Sequence, residues 1–487
     1  MPRLILLSHR YLGIGVGALM VLWCLSGVVM MYVSYPALDE NVRLKALPPI
    51  AWDGCCAIAD AVRADSPFDA GSQIEMLAGR PVLFLGRNSH PIDLRAGAYL
   101  GGISAEQAAE VAAGFAANPR AAPRLLGLVS SDQWTVSGDF NSERPLYRFS
   151  LNDAGGTEIY VSSVSGRAAQ ITTARERFWN WLGAIPHWLY FTELRRHPAL
   201  WSQIVIHTSL LGCFLAGIGI YLGVRQLAAQ PAGRWSPYAG FNLWHHVAGL
   251  VFGLFTLTWV VSGLLSMNPW GWLEGGGAHA ETARIHGTPE SSGSSITGAL
   301  QAIALLRPAA VSLQGAPLDG KLYFIASTAS GERRRLDAGG VPAPLGGQEL
   351  TYLSSALNGA GRAGALELLT HEDNYYFSHH REAAVLPVYR VVLASGTRYY
   401  LDSVSGMIVA KLDAEARAYR WLHEGLHRMD FAAPLRARPR WDGLMLLLMS
   451  GVTVVCATGA YLGYRRLTRR AGQEPARSIV GECDPQS

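Results

Sequence analysis

Two stretches decide the fold: HRYLGIGVGALMVLWCLSG, His9–Gly27, and HHVAGLVFGLFTLTWVVSG, His245–Gly263. Both read His-x3-Gly-x3-Gly-x5-Trp-x2-Ser-Gly, and they stand 236 positions apart. Past the opening residues neither carries a charge, so each reads as a membrane span and one as the copy of the other. Outward from them, two more apolar stretches complete a set of four spans: Tyr11–Tyr35, Leu200–Gly223, Leu243–Met267 and Gly443–Tyr464. None contains Asp, Glu, Lys or Arg, and each is near the ~20 residues needed to cross a bilayer. The first is too long for the apolar part of a signal peptide. Tyr35-Pro36-Ala37-Leu38-Asp39 follows it without a small-x-small cleavage site, so it reads as a retained helix.

Composition agrees. Of 487 residues 49% are hydrophobic and 16% charged, against about 25% charged in ordinary soluble domains. That excludes a purely soluble or disordered chain and makes membrane lipid a partner. A net charge of +4 is too small to argue for a nucleic-acid partner. Six cysteines in this length do not make a disulfide framework.

Basic residues orient the spans. Arg3 and Arg10 precede the first, Arg225 and Arg234 lie between the second and third, and Arg465, Arg466, Arg469 and Arg470 follow the fourth. The positive-inside rule puts all three groups, and both termini, in the cytoplasm. The expected order is then residues 1–35 (N-terminus and first span), 36–199 outside, 200–223 spanning, 224–242 a cytoplasmic loop, 243–267 spanning, 268–442 outside, 443–464 spanning and 465–487 a cytoplasmic tail. In a bacterium this is an inner-membrane protein with two periplasmic segments.

The repeat extends beyond the spans. At an offset of 240, Tyr160-x4-Ser165-Gly166 matches Tyr400-x4-Ser405-Gly406, and Trp181-Leu182-x4-His187-x3-Phe191 matches Trp421-Leu422-x4-His427-x3-Phe431. Trp201 matches Trp441, and Tyr221-Leu222-Gly223 matches Tyr461-Leu462-Gly463. Each half reads helix, outside domain, helix. The predicted fold is a four-span α-helical bundle with two periplasmic α+β domains, built by internal duplication. Val82–Leu85, Leu322–Ile325, Leu146–Leu151, Glu158–Ser162, Val388–Leu393 and Tyr399–Asp402 read as strands. Ser104–Ala117 and Gln348–Leu357 read as helices, and Gly275–Gly277 with Glu290–Ser295 as a flexible entry to the second domain.

The His-x3-Gly and Trp-x2-Ser-Gly spans, the run Tyr400–Gly406 and the Trp-Leu-x4-His element resemble the PepSY-associated transmembrane family and its PepSY domains. The likeness covers nearly the whole chain. It implies, for some members, a b-type haem protein that reduces ferric siderophores at the inner membrane.

The histidines suit that chemistry. An ionisable side chain in a span suggests function, and neutral imidazole is a usual axial ligand of haem iron. His9, His245 and His246 fall near the cytoplasmic face; His187, His207, His423 and His427 fall near the periplasmic face. His9 and His245 are repeat mates, as are His187 and His427, so these four are the expected axial ligands of two haem b groups, one per layer. His207 and His246 are further cofactor-binding candidates, His246 as a spare ligand or propionate partner. Gly13, Gly17, Gly249 and Gly253 recur every four residues, which suits close helix approach or a flat macrocycle. Electrons would come from a quinol or another membrane donor, because no Gly-x-Gly-x-x-Gly follows a strand. The acceptor would be a ferric siderophore or other periplasmic metal chelate.

Other readings stand beside this one. His423-Glu424-Gly425-Leu426-His427 is a formal His-Glu-x-x-His zinc-protease motif. However, the first half reads Gly183-Ala184-Ile185-Pro186-His187, and no third ligand is evident. His371-Glu372-Asp373 and His379-His380, beside Tyr375 and Tyr376, read as solvated loop residues or as a chelate-binding surface, which would make the protein a non-redox binding or regulatory module. No Cys-x-x-Cys-His occurs, excluding covalent haem. Cys24, Cys213 and Cys456 read as small apolar residues of the spans. A bridge between Cys55 and Cys56 would be strained, and neither is given a role. The aromatic belt of Trp179, Trp181, Trp188, Tyr190, Trp201, Trp270 and Trp272 reads as interfacial anchoring.

Overall fold

The computed structural model describes residues 2–58, 70–86, 90–118, 122–287, 293–358, 365–379 and 383–471. Four long helices carry the apolar stretches: Pro2–Met30, Pro198–Ala228, Phe241–Ser266 and Arg440–Ala471. Even the shortest, at 26 residues, is about 39 Å long at about 1.5 Å per residue, enough to cross a hydrocarbon core of about 30 Å. Helical hydrogen bonding outlasts apolarity. The first helix therefore begins at Pro2 rather than Tyr11, and the fourth continues through Arg465 and Arg466. The first ends at Met30, short of Tyr35, where the following Pro36 disfavours helix.

The first span packs against the second and fourth, and the third against the same two. First and third therefore oppose each other across the bundle. Met20, Cys24, Leu215, Val260, Val452 and Cys456 fill its centre. Glycines set the close approaches: a Cβ on Gly451 would lie 2.4 Å from the Phe252 ring, and one on Gly253 would lie 3.0 Å from Ile220.

The segments outside the spans are α+β, but they are not two separate bodies. A seven-stranded antiparallel sheet runs in the order Arg333–Asp337, Tyr323–Ser327, Ser312–Gly315, Ser72–Leu77, Arg80–Leu85, Ile92–Asp93, Ala98–Tyr99. Its centre joins the two segments, with Gln73 opposite Gln314, Ile74 opposite Leu313 and Glu75 opposite Ser312. Each segment alone would leave an edge of unpaired backbone groups, and joining removes both edges. One face of this sheet is covered by Leu300 and Ile303 of the helix Gly293–Leu306, together with Trp52. On the other face Val82 and Phe84 meet Phe149, Ile159 and Val161 and the helix Ala105–Ala113.

Each segment also owns a four-stranded antiparallel sheet. The first is Arg124–Val129, Leu146–Ser150, Glu158–Ser162, Ala168–Thr172; the second is Leu366–Leu369, Val388–Val392, Arg398–Asp402, Ile408–Leu412. Both have the same order, and both bulge at the same place, after Tyr160 and after Tyr400. Both turn at a glycine in the left-handed region, Gly166 (φ 75°) and Gly406 (φ 77°). At Gly166 a Cβ would also strike Leu77 at 2.7 Å. The helices expected at Ser104–Ala117 and Gln348–Leu357 run Ala105–Ala113 and Gly347–Asn358. Gly275–Gly277 has no regular structure. Of the flexible entry expected at Glu290–Ser295, residues 290–292 lie outside the described residues, and Gly293 already opens a helix.

At the seam, buried Glu75 holds Arg43 at 2.6 Å and Arg167 at 3.3 Å. Removing one partner of a buried ion pair strands the other charge. Glu75→Ala is therefore expected to cost about 3–5 kcal/mol, read as a lower denaturant midpoint in detergent. A shift worth under about 0.5 kcal/mol, the size of an ordinary surface substitution, would show that this triad does not stabilise the strand that forms the seam.

Candidate functional site

Four histidines meet in two pairs inside the bundle. His9 and His245, on the opposed first and third spans, have ring centroids 6.1 Å apart with planes at 37°. His187 and His427, on short helices that lead from the outside segments to the second and fourth spans, are also 6.1 Å apart, at 72°. We call these the lower and upper pairs.

One device seats all four rings. The lower His9 directs Nδ1 at the carbonyl of Leu215 (3.3 Å) and lies over Gly219, where a Cβ would be 2.7 Å from its Cε1. Its mate His245 directs Nδ1 at the carbonyl of Val455 (3.1 Å) and the hydroxyl of Thr458 (3.2 Å), over Gly459, with the Cβ gap 3.0 Å. In the upper pair His187 Nδ1 meets the carbonyl of Trp23 (3.0 Å) and Ser26 Oγ (3.2 Å), over Gly27. His427 Nδ1 meets Ser262 Oγ (3.0 Å) and bonds the carbonyl of Trp259, with its Cε1 3.9 Å from where Gly263 would carry a Cβ.

In every case the glycine stands four residues after the carbonyl. A helical side chain leans toward the N-terminus and covers the turn before it. A glycine at i+4 therefore uncovers the carbonyl of residue i, leaving a lone pair for the imidazole N–H. With Nδ1 thus engaged in all four rings, Nε2 is left free; none has a hydrogen-bond partner among the described residues. This is how protein imidazoles are held for metal ligation: the far nitrogen is bonded, which fixes the tautomer and ring orientation.

Gly27 lies 18 residues after His9, five helical turns and about 27 Å along one face. The two pairs thus sit near opposite sides of the hydrocarbon core. Two short helices bring in the upper pair, Ala184–Trp188 and Leu426–Arg428, and each ends on a non-glycine residue in the left-handed region, Leu189 (φ 53°) and Met429 (φ 54°). That conformation costs about 1–2 kcal/mol and persists where the surroundings impose it. Burial pushes His187 down to about 4 and His427 well below its ordinary value, so both are neutral, the ligating form, at pH 7.

The rings of each pair stand 6.1 Å apart, so His9 with His245, and His187 with His427, could each hold one iron, at a metal–imidazole bond length of about 2.0 Å. Trp23 and Trp259, whose carbonyls seat the upper pair, have their Nε1 buried without an acceptor among the described residues. The residues present fit a bis-imidazole haem at each level.

The other histidines behave differently. His207 is exposed and bonded to its own helix at Gln203 O (2.7 Å). His246 is buried with both nitrogens used, by Ser236 Oγ (2.9 Å) and Gly223 O (3.0 Å). It fastens the connection between the second and third spans. About 100° round the helix from His245, it faces away from the pair. Of the glycine series, Gly17 and Gly253 meet neighbouring helices, whereas a Cβ on Gly249 would meet nothing within 4 Å.

His423 directs Nδ1 at Ser262 O (2.9 Å) and lies 5.5 Å from His427, on a π-helical turn, Arg420–Gly425. Among the described residues no three His, Cys, Asp or Glu side chains converge on a metal position. The zinc-protease reading therefore lacks its third ligand, and Glu424 turns to Arg420 (3.7 Å). His371 bonds Thr370, Glu372 accepts from the Ser378 N–H and His379 accepts from Arg428; His380 lies outside the described residues. Cys55 and Cys56 are bridged to each other in the core under the shared sheet. Trp179, Trp181, Trp188, Trp270 and Trp272 are exposed.

The glycine seats give a direct test. Gly219→Ala drives a Cβ against His9 and should cost about 1–3 kcal/mol through overpacking, lowering the melting temperature in detergent. Gly15→Ala, whose Cβ meets nothing within 4 Å, should not lower it. Equal effects would show that the seat is not specific.

Compared with known protein families, residues 6–466 match the model described as the PepSY-associated TM region. No curated protein matches the chain. With nearly its whole length covered, the chain belongs to the PepSY-associated transmembrane family.

Proposed function

We propose that this protein carries electrons across a bacterial inner membrane to a periplasmic ferric chelate. In this reading it is a duplicated helix–domain–helix unit with both termini in the cytoplasm. His9 and His245 hold one haem b, and His187 and His427 hold a second. When bound there, the haems supply one-electron carriage through the bilayer.

The chain's own contribution is positional. Each seated ring keeps Nε2 available and more basic, because Nδ1–H donates to a carbonyl or hydroxyl. Two levels about 27 Å apart put one pair near each side of a core of about 30 Å. A quinol or another membrane donor would deliver electrons at the lower level. At the upper level a ferric siderophore, or a similar chelate, would be reduced. Hard oxygen donors hold Fe(III) far better than Fe(II), so reduction loosens the chelate and releases the iron. The observation that carries this reading is the repeated one: two imidazole pairs at 6.1 Å, every ring tied through Nδ1.

His9→Ala and His245→Ala should each remove the lower haem alone, His187→Ala and His427→Ala the upper alone. All four should abolish reduction of added ferric citrate. Glu424→Gln should leave haem content and reduction intact. Full haem content in all four histidine variants would contradict the assignment.

A further inference from the structure

The two halves part company beside the upper pair. Where the second half has Arg420 and Arg428, the positions 240 residues earlier hold Asn180 and Trp188. The guanidinium groups of Arg420 and Arg436 both lie over the Phe377 ring, at 4.6 and 4.2 Å, and His379 lies 4.7 Å from the same ring. Buried Asp430 takes the charge of Arg420 at 2.8 Å. Among the described residues Arg436 has no such partner: its Nη2 donates to the carbonyl of Asp373 (3.3 Å), and its Nη1 is buried with no acceptor. Burial beside Arg420 holds this guanidinium below its ordinary value. Arg428, next in the chain after His427, donates to His379 Nδ1 at 3.2 Å, leaving the His379 Nε2 hydrogen free. Four acids stand nearby: Asp430 and Glu424 pair with Arg420 (2.8 and 3.7 Å), Asp373 pairs with Arg390 (2.8 Å), and Glu372 accepts from the Ser378 N–H (2.9 Å); Asp430, Glu372 and Asp373 partly offset the charge of Arg436.

A buried guanidinium donor left unfilled is unfavourable until an acceptor arrives. The guanidinium fork matches planar oxyanions, carboxylate or catecholate, better than neutral oxygen donors. We infer that Arg428, Arg436 and His379 form the docking site of an anionic metal chelate, placed next to His427 in the chain; Arg436 has a counterpart in the first half, Arg196, whereas Arg428 corresponds to Trp188. The site deepens the electron-transfer reading and takes its purpose from it: it would select negatively charged ferric complexes over neutral ones and seat them next to the upper pair.

The test needs no electron transfer. Gallium(III) copies the charge and size of ferric iron but is not reduced. Binding of the trianionic gallium tris-catecholate and of the neutral gallium tris-acetohydroxamate to the full-length protein in detergent would be measured by equilibrium dialysis. The anionic complex should bind preferentially. It should weaken by about tenfold or more in Arg428→Gln and in Arg436→Gln, and also on raising salt from about 0.05 to about 0.5 M. Arg436 also supports the Asp373 loop, so Arg428→Gln, whose one side-chain bond is to His379, is the cleaner variant. Equal binding of the two complexes, or unchanged binding in Arg428→Gln, overturns the site. Haem-free protein that still prefers the anionic complex would sustain the site while overturning the electron-transfer reading.

Discussion

A backbone carbonyl already bonded within its own helix has a second lone pair, and whether a neighbour can reach it depends on the side chain one turn later. At Leu215, Val455, Trp23 and Trp259 that side chain is missing, because Gly219, Gly459, Gly27 and Gly263 follow four residues on. An imidazole fills the gap closely at Gly219 and Gly459, shares it with Met449 at Gly27, and lies in ordinary contact at Gly263. In the low-dielectric bundle a polar ring without a partner would cost several kcal/mol. The uncovered carbonyls and the serine and threonine hydroxyls remove that cost at one nitrogen and leave the other for a ligand. The rest of the bundle serves this arrangement. The first and third spans must oppose each other for the lower rings to meet, and small residues let the second and fourth spans close around them.

The upper pair adds a constraint that the spans alone do not meet. His187 and His427 arrive from different outside segments, so their separation depends on how those segments sit against each other. The seven-stranded sheet answers this. Its central pairing of Ser72–Leu77 with Ser312–Gly315, with Gln73 donating to Ser312 and Trp52 to the carbonyl of Pro308, binds the outside segments into one platform, and the bidentate Arg333–Asp402 pair ties the shared sheet to the second four-stranded sheet. The left-handed residues Leu189 and Met429 then turn each short helix back toward its span.

The pairing of His9 with His245 and of His187 with His427 was legible because each recurs at a constant offset in recognisable surroundings. The seats were harder to see. Ser26-Gly27 and Ser262-Gly263 stood inside the repeated motif without a role. Gly219 and Gly459 lay just before Tyr221-Leu222-Gly223 and its copy, where extending the match by two positions would have found them. His207 and His246 lie away from the two pairs, since depth in a span says nothing about which way a residue faces. The shared sheet was not legible: Ser-Gln-Ile-Glu-Met-Leu at 72–77 pairs with a strand some 240 residues away, and no local pattern reports such a partner. The cations around Phe377 become meaningful once folding brings Arg420, Arg436 and His379 onto one ring.

The central claim is that each pair holds one haem through two imidazoles. The most direct measurement is haem quantified against protein in the detergent-purified wild type, with a low-temperature electron paramagnetic resonance spectrum of the oxidised form. Two haems per chain, both low-spin ferric with bis-imidazole signals, is the predicted result. Protein that stays haem-free when expressed with ample haem supply, or high-spin signals showing a single axial imidazole, would contradict it.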